Sequence, residues 1–153
     1  MTRTIYLDEK HRLRFYYDLR SHIWLYVRLA FLDSNGNMRQ FSDMDDSSKN
    51  FIFDTGAQNT IISKRRAIEC GYTNLPIQES VSAGGIGGGF LSCLRIEIPY
   101  MIIANKLIIH RPSVLILEDI NTNINILGQD ILKPYSYYLD AKRQLIYFDL
   151  DNE

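Results

Sequence analysis

The segment HIWLYVRLAFLDSNGN, residues 22–37, constrains the fold more than any other stretch of this chain. Ile23, Leu25, Val27, Leu29 and Phe31 recur at every second position, and that period places them on one face of a pleated strand. Asn35-Gly36 follows, a dipeptide that tolerates the positive φ angles of a tight hairpin turn. The pattern repeats elsewhere. TIYL and RLRFYY flank the polar DEKH and predict another hairpin, whereas SDMDDSSKN (42–50) reads as an acidic loop. NFIFDTG predicts a strand entering a turn, and NTIIS a strand leaving it. Further strands are expected in LSCLRIEIP, NKLIIHRPSVLIL and NINIL, with a last hairpin of Tyr137-Tyr138-Leu139 and Leu145-Ile146-Tyr147-Phe148 around AKRQ. SKRRAIECGYTNLP reads as one short helix, with Ser63 as its N-cap and Gly71 where it stops. A second brief helix begins near Asp130. Many short strands and one or two short helices predict an all-β domain.

Bulk properties remove several classes of function. A chain of 153 residues fits one domain with a normal core. Its net charge of −1 creates no global field for nucleic acid or an anionic membrane surface, and neither is expected as a partner. The short Lys64-Arg65-Arg66 run reads as a solvated helix face. No stretch reaches the roughly 18 apolar residues of a membrane span, since HIWLYVRLAFL is interrupted by Arg28. MTRTIYLDEKHRLR lacks the apolar core of a signal peptide, and a cytoplasmic location is the expectation. Cys70 and Cys93 have neither CxxC nor zinc spacing. Two buried thiols is the preferred reading, with one disulfide left open. His11, His22 and His110 stand apart, so neither a metal site nor a cofactor is expected.

Two features resist a purely architectural reading. In FIFDTGAQNTIIS (51–63) the carboxylate of Asp54 interrupts an apolar run. An ionised carboxylate is costly to bury alone, so Asp54 must be paired, exposed or functional. SAGGIGGGF (82–90) is the second. Neither register of its glycines completes a dinucleotide motif, and Phe90 stands where a phosphate loop needs Lys. Alone, the stretch reads as a flexible hairpin tip. Its glycines would also let backbone groups approach a ligand, with Ile86 as an apolar contact.

Taken in order, the apolar run with Asp54-Thr55-Gly56-Ala57, the glycine-rich hairpin (84–89) and Ile126-Leu127-Gly128-Gln129-Asp130-Ile131-Leu132 resemble the retropepsin family of single-domain aspartic proteases. A D-T-G tripeptide alone arises by accident in about 1 in 30 chains of this size, so the order of all three features carries the resemblance. It implies a retropepsin-like closed β-barrel, half of an acid protease, with residues 1–50 as N-terminal strands and 51–150 as the protease core of a single 1–153 domain. It implies an aspartic endopeptidase that hydrolyses an extended peptide. In such an enzyme two carboxylates share one proton, because two like charges so close cannot both stay ionised; one activates a water and the other protonates the carbonyl. With one D-T-G, the second Asp54 must come from the other subunit of a homodimer.

The remaining roles follow position by position from the resemblance. Asp54 would be catalytic. Thr55, Gly56 and Ala57 would form and brace its turn, with Thr55 bonding across the dimer. Gly85, Ile86 and Gly87 would be the tip of a flap over the substrate, and Ile126, Leu127 and Gly128 an apolar support. Two departures stand out. Where the family pattern has an Asp after D-T-G-A and an Arg after the later Gly, this chain has Gln58 and Gln129, and a Gln–Gln hydrogen bond is expected to replace the ion pair. The helix-bearing insertion and the leading 50 residues point towards the bacterial or cellular branch. The altered pair also supports an alternative, a protease-like dimer that binds peptide or protein without cleaving it.

Overall fold

The computed structural model describes residues 3–6, 12–39, 50–84 and 89–149. Its strands are β1 (Arg3–Tyr6), β2 (Arg12–Arg14), β3 (Tyr16–Tyr17), β4 (Ile23–Leu25), β5 (Val27–Leu29), β6 (Phe31–Leu32) and β7 (Met38–Arg39). Next come β8 (Phe51–Phe53), β9 (Ile61–Ile62), helix α1 (Lys64–Glu69), β10 (Ile77–Gly84), β11 (Phe90–Glu97), β12 (Tyr100–Ile103) and β13 (Leu107–His110). The chain continues with β14 (Ser113–Leu117), β15 (Ile126–Leu127), helix α2 (Gln129–Leu132), β16 (Ser136–Asp140) and β17 (Leu145–Asp149). The all-β expectation holds, and both helices fall where they were expected.

Alternation in residues 23–31 is present: Leu25, Val27 and Leu29 are fully buried. The run is nevertheless cut into three strands that serve different sheets. β4 pairs with β8 in an eight-stranded sheet ordered β10-β11-β14-β9-β15-β8-β4-β3. β5 crosses to a four-stranded sheet ordered β1-β13-β12-β5. β6 and β7 form the hairpin whose turn holds Gly36 at φ +79°, with the Asp33 carboxylate accepting from the Asn35 and Asn37 amides. A third sheet joins the β16–β17 hairpin to β2. These sheets are open, so the closed barrel expected from the resemblance is not what the described strands form.

The hairpin around DEKH is not formed either. β1 pairs with β13 and β2 with β17, so each of the two segments takes its partner strand from a hundred residues or more along the chain. DEKH itself and the loop at 42–49 lie outside the described residues. The Lys64-Arg65-Arg66 run is only partly a solvated face: Arg66 points inward with Ala67 and is 6% exposed. The Ser63 hydroxyl caps α1 by accepting from the Arg66 amide, and Gly71 ends it at φ +81°. Cys70 and Cys93 are both buried and are not joined in a disulfide. Among the described residues no helix is long and apolar enough to cross a membrane.

The middle of the eight-stranded sheet sets up the functional region. β15 lies between β8 and β9, parallel to β8 (Ile126↔Ile52, Leu127↔Phe53) and antiparallel to β9 (Ile126↔Ile61). The connection 54–60 therefore leaves β8, passes the end of β15 and returns into β9. The main core packs Phe51, Phe53, Ile62 and Leu127 with the four-stranded and three-stranded sheets. A separate apolar cluster of Ile61, Cys93, Leu115, Leu117 and Ile126 sits beside it, with Ala57, Val81, Ala83, Leu91 and Ile124 partly buried on top.

Candidate active site

Asp54 is the first residue after β8 and is held in a turn by three hydrogen bonds. Its amide donates to the Leu127 carbonyl at 3.1 Å, which continues the β8–β15 ladder by one step. Its carbonyl accepts from the Ala57 amide at 3.2 Å, and its carboxylate Oδ1 accepts from the Gly56 amide at 2.9 Å. The side chain is half-buried, with Thr55 and Gly56 exposed beside it. The carboxylate that looked misplaced in an apolar run thus sits at the surface end of the strand, with one oxygen fixed by a backbone N–H. A Cβ at Gly56 would lie 3.3 Å from that oxygen, so glycine keeps this face of the carboxylate uncrowded.

The turn is locked from behind by the chain around Gly128. Gln129 donates its amide to the Ala57 carbonyl at 2.8 Å and its side-chain Nε2 to the Thr55 carbonyl at 2.8 Å. Asp130 donates its amide to the Gln58 carbonyl at 3.1 Å. A Cβ on Gly128 would fall 2.5 Å from the Asn59 carbonyl oxygen and 3.0 Å from that of Ala57, both backbone, so the two segments approach as closely as glycine allows. Ile126 and Leu127 are buried beneath, as a two-residue strand.

The expected Gln58–Gln129 side-chain bond is not what the structure contains. The Gln129 amide group turns to the Thr55 carbonyl instead, and Gln58 meets this segment through its backbone. The reason is geometric: the exposed Thr55 carbonyl lies within reach of a neutral donor, so Gln129 needs no second side chain.

Two further supporting residues were not apparent in the sequence. Thr60 is fully buried, and its Oγ1 donates to Asp130 Oδ1 at 2.7 Å while accepting from the Gly128 amide at 3.0 Å. Its amide reaches both Asp130 oxygens at 2.9 Å. Together they staple the end of the 54–60 connection to the start of α2. Arg95 on β11 adds a second tie, pairing with Glu79 on β10 at 2.7 Å and reaching Asn59 Oδ1 at 3.3 Å. After a register shift between Ile77 and Glu79, the paired arms of β10 and β11 run in step from Glu79↔Arg95 to Gly84↔Phe90. Gly85, Ile86 and Gly87 lie outside the described residues. No group of three metal-binding side chains occurs among the described residues.

Residues 43–134 match the family model described as gag-polyprotein putative aspartyl protease. This span is more than half of the chain, and the protein belongs to that family. None of the curated protein sequences compared with it matches. Among solved structures, it resembles a retropepsin-like aspartic protease from Rickettsia conorii at TM-score 0.55 and 14% identity, covering 97% of this chain and 92% of that one. The retroviral protease-like domain of Ddi1 from Leishmania major matches at TM-score 0.47 and 23% identity, over 85% of this chain and 97% of that one. EIAV protease, solved with the inhibitor HBY-793, matches at TM-score 0.46 and 18% identity, over 78% and 92% respectively. The first of these likenesses shows a retropepsin-like fold.

Proposed function

We propose that this member of the aspartyl protease family is an active endopeptidase, working as a homodimer with one Asp54 from each subunit. The observation that carries the reading is the Asp54 turn. Its carboxylate is held by the Gly56 amide at a half-buried position, and the turn itself is bonded to Leu127 and Gln129. Placed on a two-fold axis, two such carboxylates share one proton. One carboxylate takes a proton from the attacking water while the other donates one to the peptide carbonyl oxygen; as the C–N bond then breaks, the first protonates the leaving nitrogen and the second recovers its proton from the intermediate's hydroxyl.

Substrate would lie extended between the turn and the β10–β11 arms, adding main-chain hydrogen bonds as a strand does. Gly85, Ile86 and Gly87 are proposed as the flap tip. The partly buried Ala57, Val81, Ala83, Leu91 and Ile124 form an apolar surface beside the turn, which favours apolar substrate side chains. The test is a diverse peptide library, incubated with wild type and with Asp54→Asn. Cleavage by wild type alone is expected. Well-folded dimers of both that cut nothing would favour a binding module, and cleavage by Asp54→Asn would exclude the mechanism.

A further inference from the structure

A cavity of about 510 Å³ contains no residue of the Asp54 turn or its supports. Three basic side chains line it, Arg14 from β2, Arg28 from β5 and Lys106 from the β12–β13 turn, with Tyr16, Tyr26 and Asn105 between them. Among the described residues that line it, none is acidic.

The walls are built. The β12–β13 turn carries Ala104 and Asn105 in the left-handed region, at φ +51° and +58°. It is tied to the neighbouring strand by the Ala104 amide donating to the Tyr26 carbonyl at 2.6 Å. Between Arg14 and Tyr16, Phe15 is fully buried and donates its amide to the Gln144 carbonyl at 3.0 Å. The Arg28 guanidinium lies 5.4 Å from the centre of the Tyr26 ring, a cation–π contact that limits its motion. Its Nε is buried with no hydrogen-bond partner. None of the ion pairs among the described residues involves Arg14 or Arg28.

The buried Nε is closed to a ligand, whereas the two terminal nitrogens of Arg28 are neither buried nor hydrogen-bonded, and a guanidinium lining a cavity in that state is open to an acceptor from outside the chain. We propose that this cavity is a binding site for a phosphoryl group, with the Arg28 guanidinium as the fixed donor and Arg14 closing over the anion. A doubly charged tetrahedral oxyanion matches two guanidinium groups better than a single carboxylate does, in both charge and number of acceptors. The inference stands apart from peptide hydrolysis and holds whether or not Asp54 is catalytic.

The test uses the full chain and inorganic phosphate, at a pH where phosphate is mostly doubly charged and at ionic strength held constant with sodium chloride. Nitrogen–proton correlation of the arginine Nε groups, with the Arg28 signal assigned by its loss in Arg28→Gln, should show a saturable shift at Arg28. Phosphate should also raise the thermal midpoint, as any ligand of the folded state does. Arg14→Gln and Arg28→Gln should each weaken phosphate binding about tenfold or more, as expected for loss of a charge-assisted bond. Succinate reports on carboxylate recognition and should bind several-fold more weakly. An unshifted Arg28 signal, an equal response to chloride or succinate, or full retention of binding in either variant overturns the proposal. Should Arg28→Gln fail to fold, the wild-type titration and Arg14→Gln decide.

Discussion

Replacing Thr60 by Val tests how the Asp54 turn is held. The side chains are nearly the same shape, so packing around this fully buried residue changes little, while the hydroxyl disappears. Two bonds go with it: the 2.7 Å donation to Asp130 and the 3.0 Å acceptance from the buried Gly128 amide. A hydrogen bond to a charged group contributes about 1.5–3 kcal/mol, and an orphaned buried N–H costs about 1–3 kcal/mol. Asp130 keeps the amides of Thr60 and Ile131, so its carboxylate remains satisfied and the lower half of each range applies. The expected loss is about 3 kcal/mol. In a chain of this size that lowers the thermal midpoint by roughly 6–12 °C. Urea unfolding should be measured at one fixed protein concentration, since dimerisation would make stability depend on it. Thr60→Ser keeps the hydroxyl and should lose only about 1 kcal/mol, from the buried methyl. Equal losses in the two variants would show that the methyl, not the hydrogen-bond staple, is what Thr60 supplies.

Gly71→Ala should destabilise by about 2 kcal/mol or more, because φ is +81° there and the new Cβ would meet the Leu32 carbonyl; urea unfolding checks it. Gln129→Leu removes the bond to the Thr55 carbonyl, and we expect kcat to fall by roughly tenfold with KM little changed, because the turn is supported without touching the substrate. Asp18 has its pKa lowered to about 2, chiefly by the Trp24 indole N–H, with the His22 and Arg20 amides adding to it against partial desolvation. A depressed carboxylate favours the folded state above its ordinary pKa of 3.8, and that contribution disappears as pH falls from there to about 2. Asp18→Asn should therefore lose stability relative to wild type at neutral pH and converge with it towards pH 2, as thermal melts across that window would show.

The sequence made the Asp54 turn legible because a carboxylate among Phe51, Ile52 and Phe53 has few physical explanations, and glycine beside it narrows them further. Ser63 and Gly71 were legible as the ends of α1 for a similar reason, since a cap and a left-handed stop are local chemistry. What stayed hidden depends on distant partners. Thr60 and Asp130 are 70 residues apart, and each alone reads as an ordinary loop residue and an ordinary helix start. The break of the 23–31 run at Tyr26 is a change of sheet, imposed by β8 on one side and β12 on the other. The hairpin expected around DEKH failed likewise, since adjacent alternating segments took partners from β13 and β17. The Gln58–Gln129 bond was inferred by pairing two altered positions, whereas the Thr55 carbonyl that Gln129 bonds is backbone and leaves no trace in residue identity.

The central claim, that hydrolysis needs an Asp54 from each of two subunits, is tested most directly by mixing. Wild type and Asp54→Asn are combined in varying proportion at constant total protein, allowed to exchange subunits, and assayed on a peptide that wild type cuts. If both carboxylates are required, activity falls as the square of the wild-type fraction, reaching about one quarter at equal amounts under random pairing. A linear fall to one half would mean that each subunit acts through its own Asp54, and the shared-proton mechanism would be contradicted.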